Sequence, residues 1–135
     1  MVNRENEIFT AIAVPLRAAF NGINVTGEYV PAPAKLPHVS IVEMDNYTPE
    51  RLISSAATEK YAAVAYEVNV YSNLATGKKT QARSIMNLVD EKLISMGFRR
   101  ASVTVAPNEQ NASIYRIVAR YTGIVTQSEN TVYNK

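Results

Sequence analysis

Residues 61–73 read YAAVAYEVNVYSN, residues 75–100 read ATGKKTQARSIMNLVDEKLISMGFRR, and residues 101–125 read ASVTVAPNEQNASIYRIVARYTGIV. In the first segment Val64, Tyr66, Val68 and Val70 alternate with Ala65, Glu67, Asn69 and Tyr71. Period two over that length predicts a strand with one core face and one half-polar face. The second segment changes period. Ala82, Ile85, Val89, Leu93 and Met96 form one stripe of a helix that Gly77 or Thr80 caps,. Gly97 suits the left-handed residue that follows a helix. The third segment returns to period two. Ala101, Val103 and Val105 oppose Ser102 and Thr104, and after a turn at 107–111 Tyr115, Ile117, Ala119 and Tyr121 oppose Arg116, Val118 and Arg120,. Strand, helix, strand, strand is the framework that the rest must join.

Upstream, Ile8, Ile12, Leu16 and Phe20 recur every fourth residue and predict a helix over Glu5–Phe20,. Asn3 is the expected N-cap, and Glu5 and Glu7 complement the helix dipole. Pro15 removes one helical hydrogen bond and is expected to kink or divide this helix. A short strand is expected within 23–30. PAPAKLP at 31–37 reads as an extended connector,. His38–Met44 reads as a strand. Residues 45–60 have the least regular pattern and read as an extended arm; the polar residues 126–135 read as a flexible tail,.

The expected architecture is a single α+β domain over 1–135, with a mainly antiparallel four- to five-stranded sheet and two helices packed on one face. A chain of 135 residues can build one real core,. The face away from the helices would carry Glu67, Asn69, Tyr71, Arg116, Arg120, Ser102 and Thr104, a mixture that suits contact with another subunit.

Signals for chemistry are weak. The single histidine, His38, has no second histidine and no cysteine to share a zinc ion,. Glu43 and Asp45 are two apart and would share a strand face, but nothing builds a cleft around them. ATGKKT lacks the first glycine and the spacing of a phosphate loop. A net charge of +2 is too small to argue for nucleic acid as the main ligand,. The N-terminal MVNRENEIF does not read as a secretion signal, and no apolar run approaches the ~20 residues of a membrane span. No cofactor or metal is expected. Basic residues cluster at Lys78, Lys79 and Arg83 and again at Arg99 and Arg100, at opposite ends of one helix.

The blocks YEVNVYSN (66–73), GKKTQARSIMNLVDEKLISMGFRR (77–100) and PNEQNASIYRIVARYTGIV (107–125), with GEYVPAPAKLPHVSIVEMDNY (27–47) upstream, resemble the tail terminator proteins of long-tailed bacteriophages, also called tail completion or tail-to-head joining proteins. The resemblance spans about residues 8–125. It implies a non-enzymatic virion protein that assembles with itself as a ring, typically a hexamer. Such a ring would cap the major tail-tube protein, stop its polymerisation and dock the head connector or adaptor, with DNA passing transiently through the channel. It would reside at the neck end of the tail, and in the host cytoplasm during assembly, with no membrane partner. On that footing Glu67, Tyr71, Arg116 and Arg120 are expected at a subunit interface, and Asn46, Tyr47, Arg51 and Lys60 in an arm touching the tube. Lys78, Lys79, Arg99 and Arg100 are expected to meet the channel or connector. Another neck component, such as a head-completion adaptor, or a tail-tube subunit is the alternative.

Overall fold

The computed structural model describes residues 2–30, 33, 35–48, 61–107, 113–126 and 132–133. Elements follow in the order α1 (Glu5–Ala19), β1 (Asn24–Thr26), β2 (His38–Tyr47), β3 (Tyr61–Ser72), α2 (Lys78–Ser95), β4 (Arg99–Pro107), β5 (Tyr115–Thr126) and β6 (Val132–Tyr133). The sheet order is β1-β2-β3-β5-β4, with β6 added to β5. All pairings are antiparallel except β1 with β2. The α+β class expected from the sequence is the observed one.

The alternation in β3 decides which face is the core. Val64, Tyr66, Val68 and Val70 are buried together with Ile117, Ala119, Tyr121 and Val125 of β5. Opposed residues share a face, and Val68 lies opposite Ala119 as Val70 lies opposite Ile117. Onto this face α2 lays Ala82, Ile85, Met86, Val89 and Leu93, and α1 lays Ile8, Ile12, Ala13 and Leu16. Each large aliphatic side chain so buried contributes about 1.5–3 kcal/mol of transfer free energy.

The helix ends follow local chemistry. Gly77 precedes α2 with φ 90°, and Gly97 follows it with φ 94°. Behind Gly97, the amide of Gly97 donates to the Ile94 carbonyl and that of Phe98 to Leu93. That double closure is the Schellman motif, and its left-handed residue favours glycine. Thr80 therefore lies inside the helix. In α1, Arg4 occupies the N-cap position without a side-chain cap, while Asn3 accepts a bond from the Glu5 amide instead. The helix runs through Pro15 rather than dividing there. Ala11, whose carbonyl loses its helical donor, is on the exposed face, where water can replace the bond,.

Two features depart from the sequence expectation. First, β2 continues to Tyr47, so residues 45–47 of the expected arm are strand; residues 49–60, with Arg51 and Lys60, lie outside the described residues. Second, Val132 pairs with Val125 and Tyr133 with Ile124, so part of the expected free tail is a strand.

A bulge between Glu43 and Asp45 also corrects the idea that these carboxylates share a face. Glu43 lies opposite Tyr66 and Asp45 opposite Ala65. Tyr66 and Ala65 are consecutive and point to opposite sides, so the two acids do as well.

Candidate functional site

The outer face of the sheet is a polar ladder under partial cover. β2, β3 and β5 set His38, Tyr71 and Arg116 in one transverse row, Ser40, Asn69 and Val118 in the next, and Val42, Glu67 and Arg120 in the third. His38, Ser40, Asn69 and Tyr71 are all buried on this face. Part of the cover comes from the connector between the parallel strands β1 and β2. Tyr29 lies over Arg116, with 5.6 Å from the guanidinium carbon to the ring centroid, and Pro33 is buried.

Arg116 is the hub. Its Nε and Nη2 both donate to Asn69 Oδ1, at 2.9 and 2.7 Å. Its guanidinium also sits 5.7 Å from the Tyr71 ring centroid. Asn69 Nδ2 donates to Glu67 Oε1 at 3.2 Å, and Arg120 closes the chain on Glu67 Oε2 at 3.1 Å. Charge-assisted bonds of this kind are stronger than neutral ones, although the Arg120 end is exposed and worth only about 0–1 kcal/mol. Burial pushes the Tyr71 phenol up to about 12, against the opposing pull of Arg116.

Glu67, Tyr71, Arg116 and Arg120, the residues expected at a subunit interface, each have a partner inside the chain. Tyr71 is fully buried, whereas Arg120, two rows away, is exposed.

His38 is held at both ring nitrogens. The Asn24 amide donates to Nδ1 at 2.9 Å, and Thr26 Oγ1 lies 3.2 Å from Nε2. Because Thr26 gives its own proton to the Glu28 carbonyl, its oxygen accepts from Nε2. The partners thus assign a neutral ring with the proton on Nε2. Burial lowers the pKa of His38, in keeping with a structural histidine that ties β1 to β2.

On the core face Tyr66 donates to Glu43 Oε1 at 3.0 Å, and Tyr121 to Asp90 Oδ1 at 2.7 Å. Burial is the main reason that both phenols titrate well above their ordinary value, and that Glu43 is raised as well. These groups anchor the sheet to its neighbours rather than converge on a cleft. Among the described residues no group of three or more histidine, cysteine or acidic side chains is placed to hold a metal ion.

The expected contact residues are scattered. Asn46 is half-buried and donates to the Val2 carbonyl, while Tyr47 is exposed at the end of β2. Lys78 donates to the Ser113 carbonyl at 3.0 Å, Lys79 is exposed, and Arg100 pairs with Asp90 at 3.1 Å. The lysines and the two arginines sit at opposite ends of α2, about 27 Å apart by helical rise, and make no single patch in one subunit.

Surfaces that the sequence did not single out are the two sheet edges. Along β4, Val103 and Val105 are 44% and 56% exposed although they point to the helix side. α2 covers β3 and β5 and stops short of the edge strand. Between them runs a groove of about 190 Å³ lined by Arg83, Met86, Asn87, Val103, Val105 and Ile117. Small-molecule sites usually enclose ~300–1,000 Å³, so the groove suits a protein surface better than a metabolite. At the other edge β1 pairs only with His38–Ser40, and among the described residues no strand pairs with the outer side of β2 from Ile41 to Tyr47. Met44 and Tyr47 are 58% and 57% exposed there. The apolar alternation in β4 was visible in the sequence; that β4 ends the sheet was not.

No protein-family model matches this chain, and no curated protein matches its sequence.

Proposed function

We propose that this chain is a structural virion subunit, not an enzyme, that forms the tail terminator ring of a long-tailed bacteriophage. In this reading the ring caps the tail tube, ends its polymerisation and offers a docking surface to the head connector, and DNA crosses its channel. The observation that carries the reading is the pair of unlike open sheet edges, β4 on one side and Ile41–Tyr47 of β2 on the other. Unlike patches on one subunit produce heterologous contacts, and heterologous contacts close into rings when the rotation per subunit allows it. The block-by-block resemblance of residues 8–125 to terminator proteins supplies the biological setting. The protein would act in the virion neck after assembly in the host cytoplasm.

Deletion of the gene from its phage tests this. Loss of a terminator gives overlong, headless tubes by electron microscopy. Loss of an adaptor instead gives normal-length tails without heads, and loss of a tube subunit gives no tubes. Normal tails attached to heads would refute all three.

A further inference from the structure

The two open edges match each other in level, face and charge. Arg99 lies opposite Thr122 of β5, Thr122 opposite Ala65 of β3, and Ala65 opposite Asp45 of β2. In the adjacent row Arg100, Tyr121, Tyr66 and Glu43 follow in the same way. Opposed residues share a face. Arg99 and Asp45 therefore end one row on the outer side, and Arg100 and Glu43 end the next on the helix side. Three antiparallel steps separate β4 from β2, so the two strands run in opposite directions.

We propose that a second copy of this chain docks by continuing the sheet, with β4 of one copy antiparallel to Ile41–Tyr47 of the next. Arg99 then meets the neighbour's Asp45, and Arg100 its Glu43. The acidic edge is reinforced by α1, whose Glu5 lies close enough to Glu43 to help raise its pKa. Glu7 stands in the same first turn, beside Arg4 at 2.7 Å. The basic edge carries no acid from Arg99 to Ala106, although Asp90 of α2 holds Arg100 from behind. Opposite charge at matched positions across a strand pair stabilises the pair and fixes its register.

The apolar remainder fits the same joint. β1 occupies the position beyond Ile41, so the ladder spans Arg99–Val103 and the rest of β4 passes along β1. The neighbour's α1 then continues the helix layer toward the exposed Val103 and Val105. This joint deepens the ring reading and depends on it only for closure.

The chain contains no cysteine, so a designed disulfide tests the joint. Residues opposed across antiparallel strands lie ~4.5–5.5 Å apart at Cα, within disulfide range. The full-length double variant Asp45→Cys/Arg99→Cys is oxidised mildly and run on a non-reducing gel beside both single variants and an Asp45→Cys/Lys79→Cys control. The joint predicts a ladder of dimer, trimer and higher species for the first pair only. A ladder no stronger than the control overturns it. Light scattering on the same samples separates the two ideas. A closed oligomer without the 45–99 bond refutes this joint and spares the ring. Bonded chains that grow without closing support the joint and refute the ring.

Discussion

Gly123 in β5 faces the buried ring of Phe98, and the size of that ring sets the sign of a simple substitution. A Cβ built at Gly123 would lie 2.8, 3.0 and 3.1 Å from three atoms of the Phe98 ring. Comfortable carbon contacts are about 3.5–4.0 Å. The ring has little room to retreat: Phe98 is 2% exposed and packs edge-on against Tyr66 at 5.7 Å between centroids. Tyr66 is itself fixed by its bond to Glu43. Without a collision, Gly→Ala in regular backbone stabilises by about 0.4–1 kcal/mol through the unfolded state. Overpacking a closed core costs about 1–3 kcal/mol. Gly123→Ala should therefore destabilise by a net ~0.5–2.5 kcal/mol, a fall in Tm of roughly 2–10 °C at this chain length. Urea melts of wild type, Gly123→Ala, Phe98→Leu and the double variant measure it as a cycle. The alanine should cost little or be favourable in the Phe98→Leu background, where the leucine can give way. A neutral or stabilising Gly123→Ala in the wild-type background, or an equal cost in both, refutes the collision.

Three further outcomes are expected. Val89→Asp places a charge on the buried stripe of α2 and should unfold the domain, as circular dichroism would show,; a native spectrum would mean the stripe is not in the core. Burial holds the His38 pKa below its ordinary 6.5, so the unfolded chain binds the extra proton first; stability is full above pH ~6.5 and declines as pH falls below it toward the folded value, a slope that His38→Gln should remove from melts taken across that window,. Arg116→Glu strips Asn69 and two aromatic rings of their cation and should cost about 2–4 kcal/mol of folding stability,; unchanged melting with impaired assembly would return Arg116 to the role of an interface residue.

The framework of β3, α2, β4 and β5 was legible because period two and period 3.6 are strong signals over nine to eighteen residues. What sequence could not carry was position within the sheet. Val103 and Val105 have the same alternation as Val68 and Val70, yet only the second pair is buried, because β3 is central and β4 is last. The bulge that parts Glu43 from Asp45 leaves no mark in composition. Nor does the pairing of Arg116 with Asn69, which are 47 residues apart. Of the expected contact residues, Tyr47, Lys79, Arg99 and Arg120 are exposed, whereas Tyr71 is buried.

The polar outer face is better understood as a register device than as unused surface. Hydrophobic alternation alone would allow β3 to slip two residues along β2 or β5 and still bury valines against valines. The polar rows do not tolerate such a slip. Moving β3 by two residues against β5 takes Glu67 from its place opposite Arg120 and, in one of the two directions, carries Asn69 away from Arg116; against β2 it takes Tyr71 from its place opposite His38. A half-buried guanidinium parted from its acceptor loses charge-assisted hydrogen bonds worth about 1.5–3 kcal/mol,. The edges then inherit this precision. Because β2, β3, β5 and β4 are locked row by row, Asp45 and Arg99 are held at one level across the full width of the sheet. A bulge stands at that level in both edge strands, between Glu43 and Asp45 and between Arg100 and Ser102. Bulges and charges discourage pairing with arbitrary strands, so an edge built this way admits a partner that answers both its twist and its charge.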